Sequence, residues 1–310
     1  MTLALQTRHL SKRFGALTAV DDLSLEVRAG EIFGFLGPNG AGKTTSIQMM
    51  CGLMPPDAGE VLIGGIPVRG GEASTRARVG VCPQENILWD KLTCIEQLEF
   101  IGQAYSLRSA LARQRGLGLL AALGLESKAD VTAAQLSGGM KRRLNICLAL
   151  VHDPEIVIFD EPEAGLDPQS RVLVREYIRG LSRVKTVILT THNMDEAERL
   201  ADRVAIIDHG RLLACGSPDE LKRSLGAGDV LELEVGQALE QAAALARALL
   251  FADVASVNHS LVIRDHALVE RLPVLLDRLR IANIFYPEIK LRTNSLEDVF
   301  LNLTGRRLRE

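Results

Sequence analysis

The chain has 310 residues, which suits about two domains at ~150 residues each, with cores that need no disulfide or metal. Its 36 Lys and Arg nearly balance 39 Asp and Glu, for a net charge of −3, which excludes a generally basic nucleic-acid binder and an acidic disordered chain. No apolar run approaches the ~20 residues of a membrane span and no secretory leader is recognisable, so neither is expected. The scattered cysteines include no Cys-x-x-Cys pair, which favours reduced thiols.

The chain up to about residue 225 alternates β-rich runs with helical patterns. Apolar strands separated by helices are typical of a sheet whose parallel strands are covered on both faces, so we predict an α/β domain. The stretch from about residue 92 to 150 has no clear strand and is predicted to form an inserted helical sub-domain. The predicted strands are residues 23–27, 32–36, 79–82, 156–159, 187–190 and 204–207.

Residues 37–44, Gly-Pro-Asn-Gly-Ala-Gly-Lys-Thr, match the phosphate-binding pattern G-x-x-x-x-G-K-[ST] between a predicted strand and a predicted helix. Glycines let the backbone N–H groups wrap an anion at the positive end of the helix. We predict that Lys43 reaches the β- and γ-phosphates of a nucleotide and that Thr44 binds Mg²⁺. The predicted nucleotide-binding residues here are Gly37, Pro38, Asn39, Gly40, Ala41, Gly42, Lys43, Thr44 and Thr45.

Two carboxylates follow an apolar strand in the run Ile-Val-Ile-Phe-Asp160-Glu161. Adjacent carboxylates are unfavourable without a nearby cation, and a bound Mg²⁺–nucleotide supplies one. We therefore predict that Asp160 serves the metal and that Glu161 orients and polarises an attacking water. The guanine-binding pattern Asn-Lys-x-Asp is absent, and nothing in the sequence indicates an acceptor site for a kinase.

The pattern changes after a helix that Ser217-Pro218-Asp219-Glu220 begins and that is predicted to end near Gly226-Ala227-Gly228. Predicted strands and helices then follow the order β-α-β-β-α-β, which resembles a split β-α-β unit, and a last helix covers 296–303. We therefore divide the chain into 1–225 and 226–310, and predict a small α+β domain for the second part.

Between the two nucleotide motifs lies Leu136-Ser137-Gly138-Gly139-Met140, a Ser-Gly-Gly helix start that predicts a second anion site. This order of motifs resembles the nucleotide-binding subunits of ATP-binding cassette (ABC) transporters, which have a P-loop NTPase core. In that family the Leu-Ser-Gly-Gly segment touches the γ-phosphate held by the opposite subunit. The resemblance therefore implies a homodimer that closes head to tail over two ATP molecules.

The resemblance also implies roles for single residues. Phe14 stands where an aromatic residue stacks on adenine, and Gln84 matches the glutamine that binds Mg²⁺ or water and senses the membrane subunit. Asp167 lies in the loop that crosses the dimer interface, and His192 matches the switch histidine that contacts the γ-phosphate. The implied catalytic residues are Lys43, Gln84, Glu161 and His192; the implied metal ligands are Thr44, Gln84 and Asp160; the implied contacts to the partner's nucleotide are Ser137, Gly138, Gly139 and Asp167.

Met140 replaces the glutamine that is typical at the fifth position of the signature, and with Lys141-Arg142-Arg143 it resembles a subgroup of exporters that includes drug-resistance ATPases. Three cations at a helix start predict an anion or carboxylate partner nearby. Glu163 stands where that subgroup has threonine. It could raise the pKa of Glu161 or slow turnover; we favour the simpler expectation that it points to solvent.

The predicted function is that of an ATP-hydrolysing subunit of an ABC exporter at the cytoplasmic face of the membrane. Its predicted partners are a second ATP-binding subunit and a separately encoded transmembrane permease, with no nucleic acid. The permease is expected to dock on residues 84–98, where Trp89 is an exposed anchor or, alternatively, a core aromatic. The tail around 295–305 resembles that of the exporter subgroup and implies an accessory domain that regulates or extends the dimer. The alternatives are a soluble ABC-type ATPase clamp acting on nucleic acid or ribosomes, and an importer ATPase.

Overall fold

The computed structural model describes residues 2–68, 73–225, 229–251, 253–257, 259–265 and 267–305. The chain divides into two compact units, Met1–Pro218 and Asp219–Arg307. The predicted end of the linking helix, Gly226-Ala227-Gly228, lies outside the described residues. Within the described ranges, no helix combines the length and the apolar character that crossing a bilayer requires.

The first unit contains two sheets and seven helices among its described residues. The strands are β1 (Leu3–Phe14), β2 (Leu17–Arg28), β3 (Ile32–Leu36), β4 (Ala58–Ile63), β5 (Ile66–Pro67), β6 (Val79–Cys82), β7 (Ile156–Asp160), β8 (Thr186–Thr191), β9 (Arg203–Asp208) and β10 (Arg211–Gly216). The helices are α1 (Lys43–Met50), α2 (Ala73–Arg78), α3 (Cys94–Ala104), α4 (Ser109–Ala122), α5 (Gly138–Leu150), α6 (Pro168–Leu181) and α7 (Met194–Leu200).

The central sheet has the order β10-β9-β3-β8-β7-β6, with β10 antiparallel to β9 and the other pairs parallel. Every residue of β3, β7 and β8 is buried, as expected for parallel strands covered on both faces. The carboxyl ends of parallel strands meet at one edge of a sheet. This edge therefore carries the phosphate-binding loop after β3, Asp160 and Glu161 at the end of β7, and His192 after β8.

A second, antiparallel sheet has the order β2-β1-β4-β5. It contains residues 23–27, so placing that run with the strands of the parallel sheet was wrong. Leu23, Leu25 and Val27 are buried while Ser24 and Glu26 are exposed. This alternation is typical of a strand with one solvated face, which antiparallel sheets allow and buried parallel sheets do not.

The main hydrophobic core of the first unit joins the two sheets and helix α1. Leu5 and Val20 of the antiparallel sheet belong to the same buried cluster as Phe33 and Ile158 of the parallel sheet and Met50 of α1. The P-loop strand and the acidic strand are therefore held in one rigid body, which fixes the distance between the groups at their ends.

The second unit begins within α8 (Pro218–Ser224) and has one antiparallel sheet among its described residues. Its elements are β11 (Asp229–Glu234), α9 (Leu239–Ala248), β12 (Asp253–Val257), β13 (Ser260–Asp265), α10 (Leu268–Ile281), β14 (Ile289–Thr293) and α11 (Leu296–Thr304). The strand order is β12-β13-β11-β14, so β13 lies between β11 and β12 and splits the first β-α-β unit. Asp298 caps α11 with Ser295 and pairs with Arg292, which ties this helix to β14.

Candidate active site

The phosphate-binding loop runs from the end of β3 into the first turn of α1. Gly42 precedes the helix with a φ of 97°, in the left-handed region that favours glycine. A Cβ on Gly42 would collide with the carbonyl oxygen of Ala19, and one on Gly37 would collide with that of Ile207. The glycines are therefore required by the backbone packing as well as by the close approach of an anion.

Lys43 lies buried across this loop. Its Nζ donates to the carbonyl oxygens of Gly37, at 2.6 Å, and Pro38, at 3.0 Å. Burial lowers the pKa of the Lys43 ammonium, and the carboxylates of Glu161 and Asp160 oppose that shift. The cation is thus placed between the loop and the acidic end of β7, where phosphate oxygens would replace its carbonyl partners.

A cavity of about 420 Å³ opens at this loop. It joins the loop, the β1–β2 hairpin and the end of β7. The predicted site residues that line it are Phe14, Asn39, Gly40, Gly42, Lys43, Thr44, Thr45, Gln84, Asp160 and Glu161; Leu17, Thr18, Ala19 and His209 line it in addition. Gly37, Pro38 and Ala41 shape the loop without lining the cavity. Phe14 is 47% exposed, so its ring is available to a planar base.

Glu161 lies at the junction of the predicted catalytic groups. Its side chain is buried, with Oε1 2.7 Å from Nδ1 of His192 and Oε2 accepting from Nε2 of Gln84 at 3.3 Å. Its φ of +50° is unusual for a residue with a side chain. The Glu161 N–H donates to the carbonyl of Thr190, at 3.1 Å, which holds the residue in that conformation.

The basic run of the signature helix, Lys141-Arg142-Arg143, contacts both a carboxylate and backbone carbonyls. Arg142 is buried and donates to the carbonyl oxygens of Asp160 at 2.5 Å, Glu161 at 2.9 Å and Gln84 at 3.1 Å, and also to that of Pro83. The carboxylate that we expected near this basic run is Asp90, whose Oδ1 lies 3.8 Å from Nζ of Lys141, whereas Arg142 itself binds only backbone carbonyls among its hydrogen-bond partners in the described residues. The guanidinium fork satisfies backbone carbonyls and thereby ties α5 to the Gln84 segment and to the acidic strand end.

The groups around the cavity fit a magnesium ion bound with a nucleotide. Thr44, Gln84 and Asp160 line the same cavity and offer a hydroxyl, an amide oxygen and one carboxylate. Mg²⁺ prefers oxygen ligands and is usually held by one or two carboxylates together with substrate phosphates. Among the described residues, no group of three or more His, Cys, Asp or Glu side chains could hold a metal by itself.

The signature segment and Asp167 do not line this cavity. Ser137 caps α5 by accepting from the N–H of Met140 at 3.3 Å, and Asp167 caps α6 by accepting from Ser170. Those hydrogen bonds from Ser170 hold the pKa of Asp167 below its usual range. A Cβ on Gly139 would lie 3.6 Å from Oδ2 of Asp167, so the two helix starts are neighbours.

We had expected Glu163 to point to solvent, but the structure shows that it is buried. Its side chain is 8% exposed and forms a two-pronged ion pair with Arg175 of α6, with Oε1 to Nε at 2.9 Å and Oε2 to Nη2 at 2.6 Å. Trp89, by contrast, is 40% exposed and packs its edge against the ring of Phe100, at 5.3 Å between centroids. The alternative core position for Trp89 is therefore wrong.

Sequence reasoning missed several groups that complete this site. Thr190 donates its hydroxyl to Oδ1 of Asp160, and Glu196 accepts a hydrogen bond from Thr191 at 2.5 Å. His209 lines the nucleotide cavity from the turn between β9 and β10. Thr190 and Thr191 stand directly before His192, whereas Glu196 and His209 are not contiguous with any of the motifs. For Glu196 the one available hint is its position in the first turn of the helix that follows His192.

Comparison with known proteins places this geometry in a family. A family model described as ABC transporter matches residues 20–164. The chain is 41% identical over 311 residues to the Nod factor export ATP-binding protein I of Ralstonia nicotianae, covering 100% of this chain and 96% of that protein. The chain belongs to the ABC transporter ATP-binding proteins.

Further likenesses agree with that assignment. This ABC transporter ATP-binding protein is 38% identical over 310 residues to the linearmycin resistance ATP-binding protein of Bacillus subtilis, which covers 99% of this chain and 100% of that one. It also resembles a solved dimeric ATP-binding cassette in a post-hydrolysis state bound to ADP and phosphate, with a TM-score of 0.64 and 25% identity, over 69% of this chain and 98% of that one.

These findings establish the biochemical class. The protein is the ATP-binding and ATP-hydrolysing subunit of an exporter-type ABC transporter, and its core is a P-loop NTPase fold. The two alternatives from the sequence, a soluble clamp acting on nucleic acid or ribosomes and an importer ATPase, are not favoured by these relatives.

Proposed function

We propose that two copies of this chain close head to tail over two ATP molecules and drive export through a separate membrane-spanning permease at the cytoplasmic face of the membrane. One observation carries the proposal. Each chain has a phosphate site around Lys43 and Glu161, while Ser137, Gly139 and Asp167 lie together outside that cavity. A second anion site that cannot reach its own nucleotide is explained if it serves the partner's. The dimeric cassette described above supports this arrangement.

The residues of the cavity suggest a division of labour in hydrolysis. The loop N–H groups and Lys43 bind the phosphates, and Phe14 stacks on adenine. Thr44, Asp160 and Gln84 would hold Mg²⁺, which neutralises phosphate charge when it is bound. Glu161 orients the attacking water, and Gln84 and His192 hold its two carboxylate oxygens in place. Since positioning dominates phosphoryl transfer, this network rather than a strong base supplies the rate enhancement.

An exposed apolar surface on the first unit supports docking of the permease. Ile87, Trp89 and Phe100 are 63%, 40% and 54% exposed, and the two aromatic rings touch. Exposed aromatic residues are typical anchors of protein interfaces. This surface begins three residues after Gln84, which contacts Glu161, so docking and hydrolysis would be linked through one short segment. The names of the two relatives, which refer to export and to resistance, support outward transport.

The first experiment tests Glu161. We expect Glu161→Gln to bind ATP, to lose turnover because the water is no longer oriented by a carboxylate, and to accumulate as an ATP-bound dimer in size-exclusion chromatography. Wild-type protein with ATP is the matched control. Hydrolysis by the variant at the wild-type rate would show that the proposed role of Glu161 is wrong.

The same variant tests the transport role. A tagged Glu161→Gln protein would be expressed in its native cell and isolated from detergent-solubilised membranes in the presence of ATP. We expect a polytopic membrane protein to co-purify, and its identity would define the exported substrate. Recovery with ribosomes or DNA, and without a membrane protein, would contradict the proposal.

A further inference from the structure

A second cavity, of about 250 Å³, lies on the other side of the catalytic carboxylate. Glu161 lines both this cavity and the nucleotide cavity. The remaining lining comes from the loop after β7, from α6, from the end of β8 with the two residues that follow it, and from the first turn of α7. The lining residues are Glu161, Glu163, Ala164, Gly165, Arg171, Thr191, His192, Asn193 and Glu196. Three carboxylates therefore share a small space beside the group that is proposed to orient water.

The loop between β7 and α6 is folded as two tight turns. The N–H of Ala164 donates to the carbonyl of Glu161 at 3.1 Å, and that of Leu166 donates to the carbonyl of Glu163 at 3.3 Å. Glu163 is the middle of this loop, with Glu161 at one end and Asp167 at the other. Its paired hydrogen bonds to Arg175 therefore link the middle of the loop to the body of α6, and Arg171 of the same helix donates to the carbonyl of Leu166 at 2.9 Å nearer the end of the loop.

Glu196 faces the same cavity. Its Oε2 accepts from the hydroxyl of Thr191, while its Oε1 is buried and has no hydrogen-bond partner among the described residues. Burial first of all, together with the charges of Glu163 and Glu161, raises the pKa of Glu196 to about 7, against the opposing effects of Thr191 and Arg175. The titratable and charged groups that face it are Glu161, Glu163, Arg171, Arg175 and His192.

We propose that Glu163 is a positioning residue for ATP hydrolysis and that Arg175 holds it in place. The pair holds the loop between Glu161 and Asp167 in one conformation. The water-orienting carboxylate and the residue at the proposed dimer interface therefore keep a constant position relative to each other. This inference rests on the role proposed above for Glu161. Glu163 itself touches neither the nucleotide cavity nor the reacting atoms.

A dependence on pH follows from the charges in the cavity. Arg175 carries a single positive charge and binds Glu163 through Nε and Nη2, so an ionised Glu196 nearby would compete for that charge. While Glu196 is protonated, Glu163 holds Arg175 without competition. When Glu196 ionises, it competes for the guanidinium and loosens the loop. We therefore expect kcat to fall as pH rises through the ionisation of Glu196.

The test compares kcat and KM for ATP between pH 5.5 and 9 in Glu163→Gln, Arg175→Lys and Glu196→Gln, each in the full chain. Glu176→Gln is the matched control, because it removes one exposed carboxylate from the helix that carries Arg175. We expect Glu163→Gln to lower kcat by about 10- to 100-fold with KM little changed, since misplacing a catalytic group costs that much. In this variant the pH at which kcat has fallen by half should be lower than in wild type, because Arg175 is then free to stabilise ionised Glu196. Glu196→Gln abolishes the alkaline fall.

The remaining variants separate positioning from a merely structural role. The charge swap Glu163→Arg with Arg175→Glu is expected to recover part of the lost kcat. A kcat for Glu163→Gln equal to that of Glu176→Gln would overturn the inference. So would a loss of kcat that is proportional to the fall in melting temperature, in a variant whose kcat still declines at the same pH as in wild type. Glu161→Gln is assayed in parallel. Turnover by that variant would contradict the proposed role of Glu161, whereas an inactive Glu161→Gln beside a fully active Glu163→Gln would contradict only this inference.

Discussion

The phosphate-binding loop and the loop from Glu161 to Asp167 meet at one cavity, but they are held in different ways. In the first, the side-chain hydrogen bonds of Lys43 stay within the loop and go to the carbonyls of Gly37 and Pro38, while backbone from Ala19, Ile207 and Gly210 packs against it. The second is held by side chains from distant parts of the chain, among them Arg142 and Arg175. The side chains that bind the nucleotide phosphates therefore come from one short run of residues, whereas the side chains that position Glu161 for hydrolysis are brought together by the tertiary structure.

Removing the local cation is expected to have the largest effect on binding. Lys43→Ala should weaken ATP binding by about 100-fold or more, because charge-assisted hydrogen bonds to phosphate are among the strongest polar contacts. Isothermal titration calorimetry with ATP measures the change. Lys290→Ala, which removes an exposed cation from the second unit, is the control. Wild-type affinity for ATP in Lys43→Ala would contradict the proposed role of Lys43, since the loop would then bind phosphate without its cation.

Arg142→Lys is expected to impair the loop that carries Glu161 and to leave the phosphate-binding loop intact. Lysine keeps the charge but loses the fork that reaches several carbonyl oxygens, so Glu161 and the Gln84 segment lose a common support. We expect kcat to fall by about 10- to 100-fold while ATP affinity changes little. Arg113→Lys, at an exposed ion pair with Glu99, is the control. An equal loss of affinity and of kcat would show that binding also depends on these distant contacts.

Glu196→Gln should have the smallest effect, seen in stability rather than in binding. The folded-state pKa of Glu196, about 7, lies above the ordinary value of 4.5. Its contribution to stability is therefore fully present below about pH 4.5 and is lost as the pH rises to about 7. At pH 8 the wild type therefore carries a buried charge at Glu196, which lowers the free energy of unfolding. Glutamine carries no charge, so the variant should melt a few degrees above wild type at pH 8.

Thermal unfolding followed by circular dichroism measures this difference at pH 5 and pH 8. Asp195→Asn, an exposed acid on the same helix, is the control and should show no such change with pH. An advantage of Glu196→Gln that is equal at both pH values would mean that Glu196 is not protonated in the folded protein near neutrality, and the cavity would then lack its proposed sensitivity to pH.

Contiguous motifs made much of this site predictable. The P-loop, the acidic strand end and the strands at 32–36 and 79–82 could be identified because one short run of residues forms each of them, with the bounds that the structure has. The resemblance to ABC subunits then assigned roles to Gln84 and His192, and the structure brings both of them to Glu161. Those roles stay proposals until the variants are measured.

The family, the nucleotide loop and the order of elements in the second unit could be obtained from the sequence alone, because these depend on local patterns of glycine, charge and hydrophobicity. In the first unit, β1, β4, β5 and β10 were not predicted. Only the tertiary structure decided which sheet receives residues 23–27, what Arg142 binds and where Glu163 points. Each of those outcomes depends on a partner far away in the sequence. The sequence gives the chemical groups of each side chain. Their burial and their hydrogen-bond partners, which decide how those groups act, arise only when the chain folds.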